Sequence, residues 1–230
     1  MEIFWRLILA HLLTDFTLQT NRLAKWKRKS IWGALLHTLI FFSLSLLFCW
    51  ENLTKIWFSI GQRFHVYGWV SILLLTILHF LEDEWRISSI QYFHTKDNLF
   101  FFLWDQFIHI SLIFVLSPIQ YPILHEKWII VCILLVIGTH FTTILLHYIG
   151  GAKNNDKATP NNDKKYITII GRLFLMLLCT LSGYLWLAVF AIAVFYILYQ
   201  ERILKYGWID TILGNTIAII CGILIHILLY

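Results

Sequence analysis

Ionisable residues spaced one helical turn apart inside apolar runs are the strongest constraint on how this chain can fold. His11 precedes Asp15 by four residues, His79 precedes Asp83 by four, and Asp105 precedes His109 by four, while His37 stands alone in a further run. A spacing of four puts both members of a pair on one face of a helix. In hydrocarbon such groups are costly unless they are paired or face a polar interior. The four faces are therefore expected to turn towards one another, in a bundle where these seven side chains meet.

Composition points to a membrane setting. Of 230 residues, 59% are hydrophobic, 13% are charged and three are proline, whereas a soluble domain carries about 25% charged residues. Mean hydropathy is +0.73. Eleven Trp and ten Tyr suit anchoring at two membrane interfaces. The formal charge of +5 does not imply a nucleic-acid partner, because Lys and Arg gather in short loops between apolar runs. Cys49, Cys132, Cys179 and Cys221 are scattered singly, which fits small buried hydrophobes rather than disulfides. The first apolar stretch carries His11 and Asp15 and lacks a small-residue cleavage site, so no cleavable signal peptide is expected.

Apolar runs long enough to span ~30 Å recur about eight times, near 2–20, 31–50, 66–84, 99–118, 127–149, 166–183, 184–202 and 208–229. The expected fold is an all-α polytopic helix bundle. Residues 1–120 form a four-span domain bearing the His and Asp residues, and 121–230 a more uniformly apolar four-span domain, with a polar cytoplasmic linker at 150–165. Glu51 to His65 is expected at the surface, and the chain to turn tightly at Ser182-Gly183. The loop after the first run holds Arg22, Lys25, Lys27, Arg28 and Lys29, which orients it towards the cytoplasm. Both termini then lie on the non-cytoplasmic side, and the seven residues fall in one leaflet.

His with carboxylate is the ligand set of zinc, manganese or non-haem iron. His11, Asp15, His37, His79, Asp83, Asp105 and His109 are the candidate ligands of one or two divalent ions, zinc foremost. Gln19 continues the His11/Asp15 face, and Gln106 adjoins Asp105; both are candidates to orient ligands or substrate. Glu82, three residues after His79, is a candidate general base, while Glu84 and Arg86 are expected to reach the aqueous loop. His140, His147 and His226 read as packing residues. Arg172 could snorkel or meet an anionic headgroup. No phosphate-cradling glycine loop, serine nucleophile elbow or HExxH is present.

These motifs, in order, resemble a bacterial membrane-protein family known as Domain of Unknown Function 3307. The resemblance rests on His11/Asp15/Gln19, the basic stretch Lys25 to Lys29, His37, His79/Asp83 and Asp105-Gln106/His109. It covers residues 5 to about 112, with a looser likeness at Gly171-Arg172 and Ile212 to Thr216. It implies a multi-pass protein of the bacterial cytoplasmic membrane and no particular reaction.

The expectation is an intramembrane metal-dependent hydrolase, with a lipid or lipid-linked anionic substrate gathered by the basic loop at the cytoplasmic leaflet. A cation or proton transporter would use the same residues, but would spread polar groups through the full depth. A non-catalytic accessory protein would use them only to lock helices together.

Overall fold

The computed structural model describes residues 2–60, 63–118, 126–151, 162–181 and 208–230, with positions 192–194, 196–197 and 199. The chain divides into two compact units, Met1–Ile129 and Ile130–Tyr230.

In the first unit, α1 (Glu2–Leu12) passes directly into a π-helical turn, Leu13–Leu18. Such turns are rare and concentrate at functional sites; this one carries Asp15. Side-chain caps then set the next two starts. Thr20 accepts from the Leu23 amide at 3.2 Å to open α2 (Asn21–Lys27), and Ser30 accepts from the Trp32 amide at 3.3 Å to open α3 (Ile31–Phe48). Gly33 makes the fold-back of α2 onto α3 possible, since a Cβ there would lie 2.5 Å from the Lys27 backbone nitrogen. The long helix α4 (Gly68–Gln91) follows, then α5 (Leu99–Leu116), capped by Asn98 accepting from the Phe101 amide at 2.9 Å. Helix α3 packs against α1, α2 and α4, and α5 against α1 and α4.

Polarity in this unit is inverted relative to a soluble domain. Trp32, Leu39, Ile77, Leu81, Phe107 and Val115 are exposed, while His37, His79, Asp83, Asp105 and His109 on the same helices are buried. Apolar side chains facing out and ionisable ones facing in suit a bundle surrounded by lipid. Among the described residues, four helical stretches are long and apolar enough to cross a membrane: Ile31–Phe48, Leu99–Leu116, Lys127–Gly150 and Thr211–Leu229.

The segment expected only to lie at the surface has structure of its own. Strands β1 (Ile56–Ile60) and β2 (Phe64–Tyr67) pair antiparallel as a hairpin. Their Ile, Trp, Phe, Val and Tyr content is strand-favouring, a signal that helical periodicity passes over. Elsewhere in this unit Arg6 pairs with Glu126 and donates to the Phe48 carbonyl at 2.6 Å.

Helix α6 (Lys127–Val136), most of which belongs to the second unit, runs through a further π-helical turn, Ile137–Phe141, into α7 (Thr142–Gly151). Helices α8 (Asn162–Cys179) and α9 (Trp208–Leu229) pack on each other around Met176, Ala218, Cys221 and Ile225. Helix α8 begins at Asn162, inside the expected 150–165 linker; residues 152–161 of that linker, the Ser182-Gly183 turn and most of the 184–202 run lie outside the described residues. Arg172 does not extend to the protein surface. It is buried in this unit, donating to Thr143 Oγ1 at 2.8 Å, with its guanidinium where a Cβ on Gly214 would stand. A buried guanidinium needs hydrogen-bond acceptors, and the missing Gly214 side chain leaves room for it.

Candidate metal centre

All seven candidate ligands are buried, and all belong to the first unit. Helix α1 and its π-turn deliver His11 and Asp15, α3 delivers His37, α4 delivers His79 and Asp83, and α5 delivers Asp105 and His109. The four-residue spacings act as expected, so that each helix offers its pair on one inward face.

His37 Nε2, His79 Nε2, Asp15 Oδ1 and Asp83 Oδ2 form a tight group. The two nitrogens are 3.3 Å apart; Asp15 Oδ1 lies 3.3 Å from His37 and 3.7 Å from His79, and Asp83 Oδ2 lies 3.5 Å from each. An ion held tetrahedrally by bonds of ~2.0–2.1 Å separates its ligand atoms by about 3.3–3.4 Å. The five separations, 3.3 to 3.7 Å, start at that spacing and extend a little beyond it. His11 joins from the side, its Nδ1 3.7 Å from the same Asp15 oxygen. Beside this group stands a second set, Glu82, Asp105 and His109, also close enough to share an ion. The rings of His79 and His109, with centroids 4.3 Å apart, link the two sets.

The carboxylates are divided in function between their two oxygens. Asp83 Oδ1 takes Lys27 Nζ at 2.7 Å, while Oδ2 faces the histidines. Asp15 Oδ2 accepts from Gln106 Nε2 at 3.4 Å, while Oδ1 faces them. Asp105 Oδ2 accepts from Gln106 Nε2 at 2.9 Å and Arg86 at 3.2 Å. The other oxygens, Asp15 Oδ1, Asp83 Oδ2 and Asp105 Oδ1, are buried with no hydrogen bond. Buried acceptors left so are costly; Asp15 Oδ1 and Asp83 Oδ2 fall in the first group and Asp105 in the second, and a cation could satisfy either set.

The histidine tautomers follow from their neighbours. Gln106 donates its amide to two carboxylates, so its Oε1 accepts from His11 Nε2 at 3.2 Å, leaving the His11 Nδ1 lone pair towards Asp15. His109 Nδ1 donates to the Asp105 carbonyl at 2.9 Å, which leaves Nε2 as its lone-pair nitrogen. Both lone-pair atoms are buried without a hydrogen bond. Outer hydrogen bonds that select a tautomer are the usual support of metal-ligating histidines.

Several placements depart from the sequence-based expectation. Gln19 does not extend the His11/Asp15 face, because the π-helical turn closes at Leu18 and Gln19 leaves the helical backbone with ψ of 82°. Glu82 is drawn into the second set, its Oε2 3.2 Å from His109 Nδ1. Arg86 turns inward to Asp105 and Asp97 instead of reaching the aqueous loop. It stands three residues after Asp83, hence on the same helix face, and that spacing was the available signal. Of the basic stretch, Arg22, Lys25 and Lys29 are exposed, but Lys27 and Arg28 are half-buried, paired to Asp83 and to Asp97 at 3.2 Å. Asp97 lies in the α4–α5 connection, outside any periodic pattern, and nothing in the sequence singled it out.

Beyond the geometry, the chain can be set against known proteins. The family model described as "Protein of unknown function (DUF3307)" matches residues 3–136, a stretch containing every member of the centre. No curated protein and no solved structure matches the chain.

Proposed function

The chain belongs to the DUF3307 family of proteins of unknown function, and from that premise we propose that its front half is a membrane-embedded, metal-dependent hydrolase. The reading is carried by one observation: Asp15 and Asp83 each commit one oxygen to an outer partner and turn the other, unbonded, towards His37 and His79. Charge balance supports it. Asp15, Glu82, Asp83, Asp97 and Asp105 face Lys27, Arg28 and Arg86, so two negative charges remain if all are ionised, and one divalent ion cancels them. Buried charges require such compensation.

His37, His79, Asp15 and Asp83 would hold the ion, zinc by the donor set and the spacing, with His11 at its edge. A second ion would sit among Glu82, Asp105 and His109. A bound divalent ion lowers the pKa of its water towards ~7 and polarises an ester or phosphoryl oxygen. In a single-ion enzyme Glu82, buried beside His109, would be the base that takes the proton from water and passes it to the leaving oxygen. Gln106 holds His11 and two carboxylates in register. Eight spans with both termini outside would put the centre at the cytoplasmic leaflet, where the exposed Arg22, Lys25 and Lys29 meet anionic lipid. Gathering of the polar groups into one cluster, rather than a file, favours hydrolysis over transport.

Elemental analysis of protein purified without chelators tests the reading, beside Asp15→Asn, Asp83→Asn and Asp105→Asn. Bound zinc, manganese or iron in the parent and its loss in Asp15→Asn and Asp83→Asn support the reading. A parent that stays metal-free after incubation with each ion sinks it. Hydrolysis of phosphoester and carboxylester probes by the loaded protein, against ion flux in liposomes, separates enzyme from transporter.

A further inference from the structure

A cavity of about 110 Å³ opens beside the centre, between α2 and α4, and its polar walls are dominated by cations. Lys27 and Arg28 enter from α2 and its end, Arg86 from α4, and the amides of Gln19 and Gln91 complete the polar rim. Ile87 and Ile90 line another side. Asp83 is the wall shared with the centre: its Oδ1 is held by Lys27 on the cavity side, and its Oδ2 faces His37 and His79. A ligand in the cavity is thus one carboxylate group away from the ion position.

The three cations are fixed rather than splayed. Asp97 bridges Arg28 and Arg86 at 3.2 and 2.9 Å, and Gln91 Nε2 donates to the Arg28 carbonyl at 2.5 Å. These contacts leave donors to spare, since an ammonium carries three and a guanidinium five, and the contacts of Lys27 and Arg28 use one each. Gln19 Oε1 is buried without a hydrogen bond, which suits a ligand hydroxyl.

We propose that this cavity is an oxyanion subsite in which Lys27, Arg28 and Arg86 grip the phosphate group of a phosphoester substrate, whose apolar part lies on Ile87 and Ile90. It rests on the metal reading for its catalytic meaning and names the substrate class that reading leaves open. Arginine forks and a lysine are the usual phosphate-binding set, and Asp83 joins their cavity to the histidines that would hold the ion. Hydrolysis there would form a new P–O bond from water and break the ester P–O bond, with the proton removed from water ending on the leaving alcohol.

The test titrates inorganic phosphate by calorimetry into the full chain in detergent, with and without zinc, for the parent, Arg28→Gln, Arg28→Lys and Lys96→Gln. The expected result is phosphate binding that weakens roughly tenfold or more in Arg28→Gln, is partly kept in Arg28→Lys, and is unchanged in Lys96→Gln, an exposed charge on the neighbouring loop. Zinc content should stay at the parent level in Arg28→Gln. Absence of phosphate binding in the parent, parent affinity in both Arg28 variants, or equal loss in Lys96→Gln overturns the subsite and leaves the cations a structural network. A metal-free parent instead defeats the metal reading, while the zinc-free titrations still score the subsite. Bilayer discs of phosphatidylglycerol against phosphatidylcholine identify the source: competition with inorganic phosphate only by the former assigns a lipid headgroup, and competition by neither assigns a soluble phosphoester.

Discussion

His37 and His79 point their Nε2 atoms at each other across 3.3 Å, from helices α3 and α4. At most one of two facing nitrogens can donate along that line, and both also lie within 3.7 Å of Asp15 Oδ1 and 3.5 Å of Asp83 Oδ2. A cation shared among them would offer these atoms a positive partner. Without it, the pair depends on a single proton placed between two rings and two carboxylates.

Removing one of these rings should therefore cost the ion before it costs the fold. His37→Ala is expected to lower zinc affinity at least about a hundredfold, beyond the 10–100-fold typical of outer-sphere changes. Competition with a chromogenic chelator measures this; retention of parent affinity would exclude His37 as a ligand.

Gln106 touches His11, Asp15 and Asp105 but is placed as a support, not a ligand. Gln106→Leu should keep the ion yet weaken it roughly 10–100-fold. The same competition assay reads the difference, and complete loss of metal would instead make Gln106 part of the coordination sphere.

Metal removal should destabilise the bundle, because binding to the folded state alone adds about 2.7 kcal/mol at a free-ion concentration 100 times Kd. Thermal unfolding in detergent, with and without chelator, should show a lower Tm for the stripped protein. His37→Ala should not respond to chelator.

Lys27→Met leaves the buried Asp83 without its cation at 2.7 Å. Breaking such a pair costs roughly 3–5 kcal/mol, and the loss should be greatest in metal-free protein, where Asp83 has no other positive partner of comparable closeness. Comparing Tm of this variant with and without zinc checks the coupling; an equal loss in both states would refute it.

Gly33→Ala probes the joint that carries Lys27 to the centre. A Cβ there meets the Lys27 nitrogen at 2.5 Å and the Trp26 carbonyl carbon at 2.6 Å, both backbone atoms that cannot swing away. The expected cost is about 1–3 kcal/mol, with weaker metal binding as α2 is displaced. Unchanged stability and affinity would show that α2 tolerates the shift.

Much of the centre was legible before any coordinates. The spacing of His11 to Asp15, His79 to Asp83 and Asp105 to His109 put each pair on one helical face, and the cost of charge in hydrocarbon turned those faces inward. Helix periodicity did not reveal the β1–β2 hairpin, and it carried Gln19 along a face that the π-helical turn ends one residue earlier.

Local pattern in this chain specifies which groups share a helix face and that the faces must be hidden from lipid, because both follow from helix geometry and solvation. It does not specify which oxygen of Asp83 meets Lys27 and which meets His37 and His79, nor that Asp97 ties Arg28 to Arg86. Those pairings join residues up to 69 positions apart. They exist because α2 folds back at Gly33 and α1, α3, α4 and α5 pack on one another, and only contact between distant segments sets such distances.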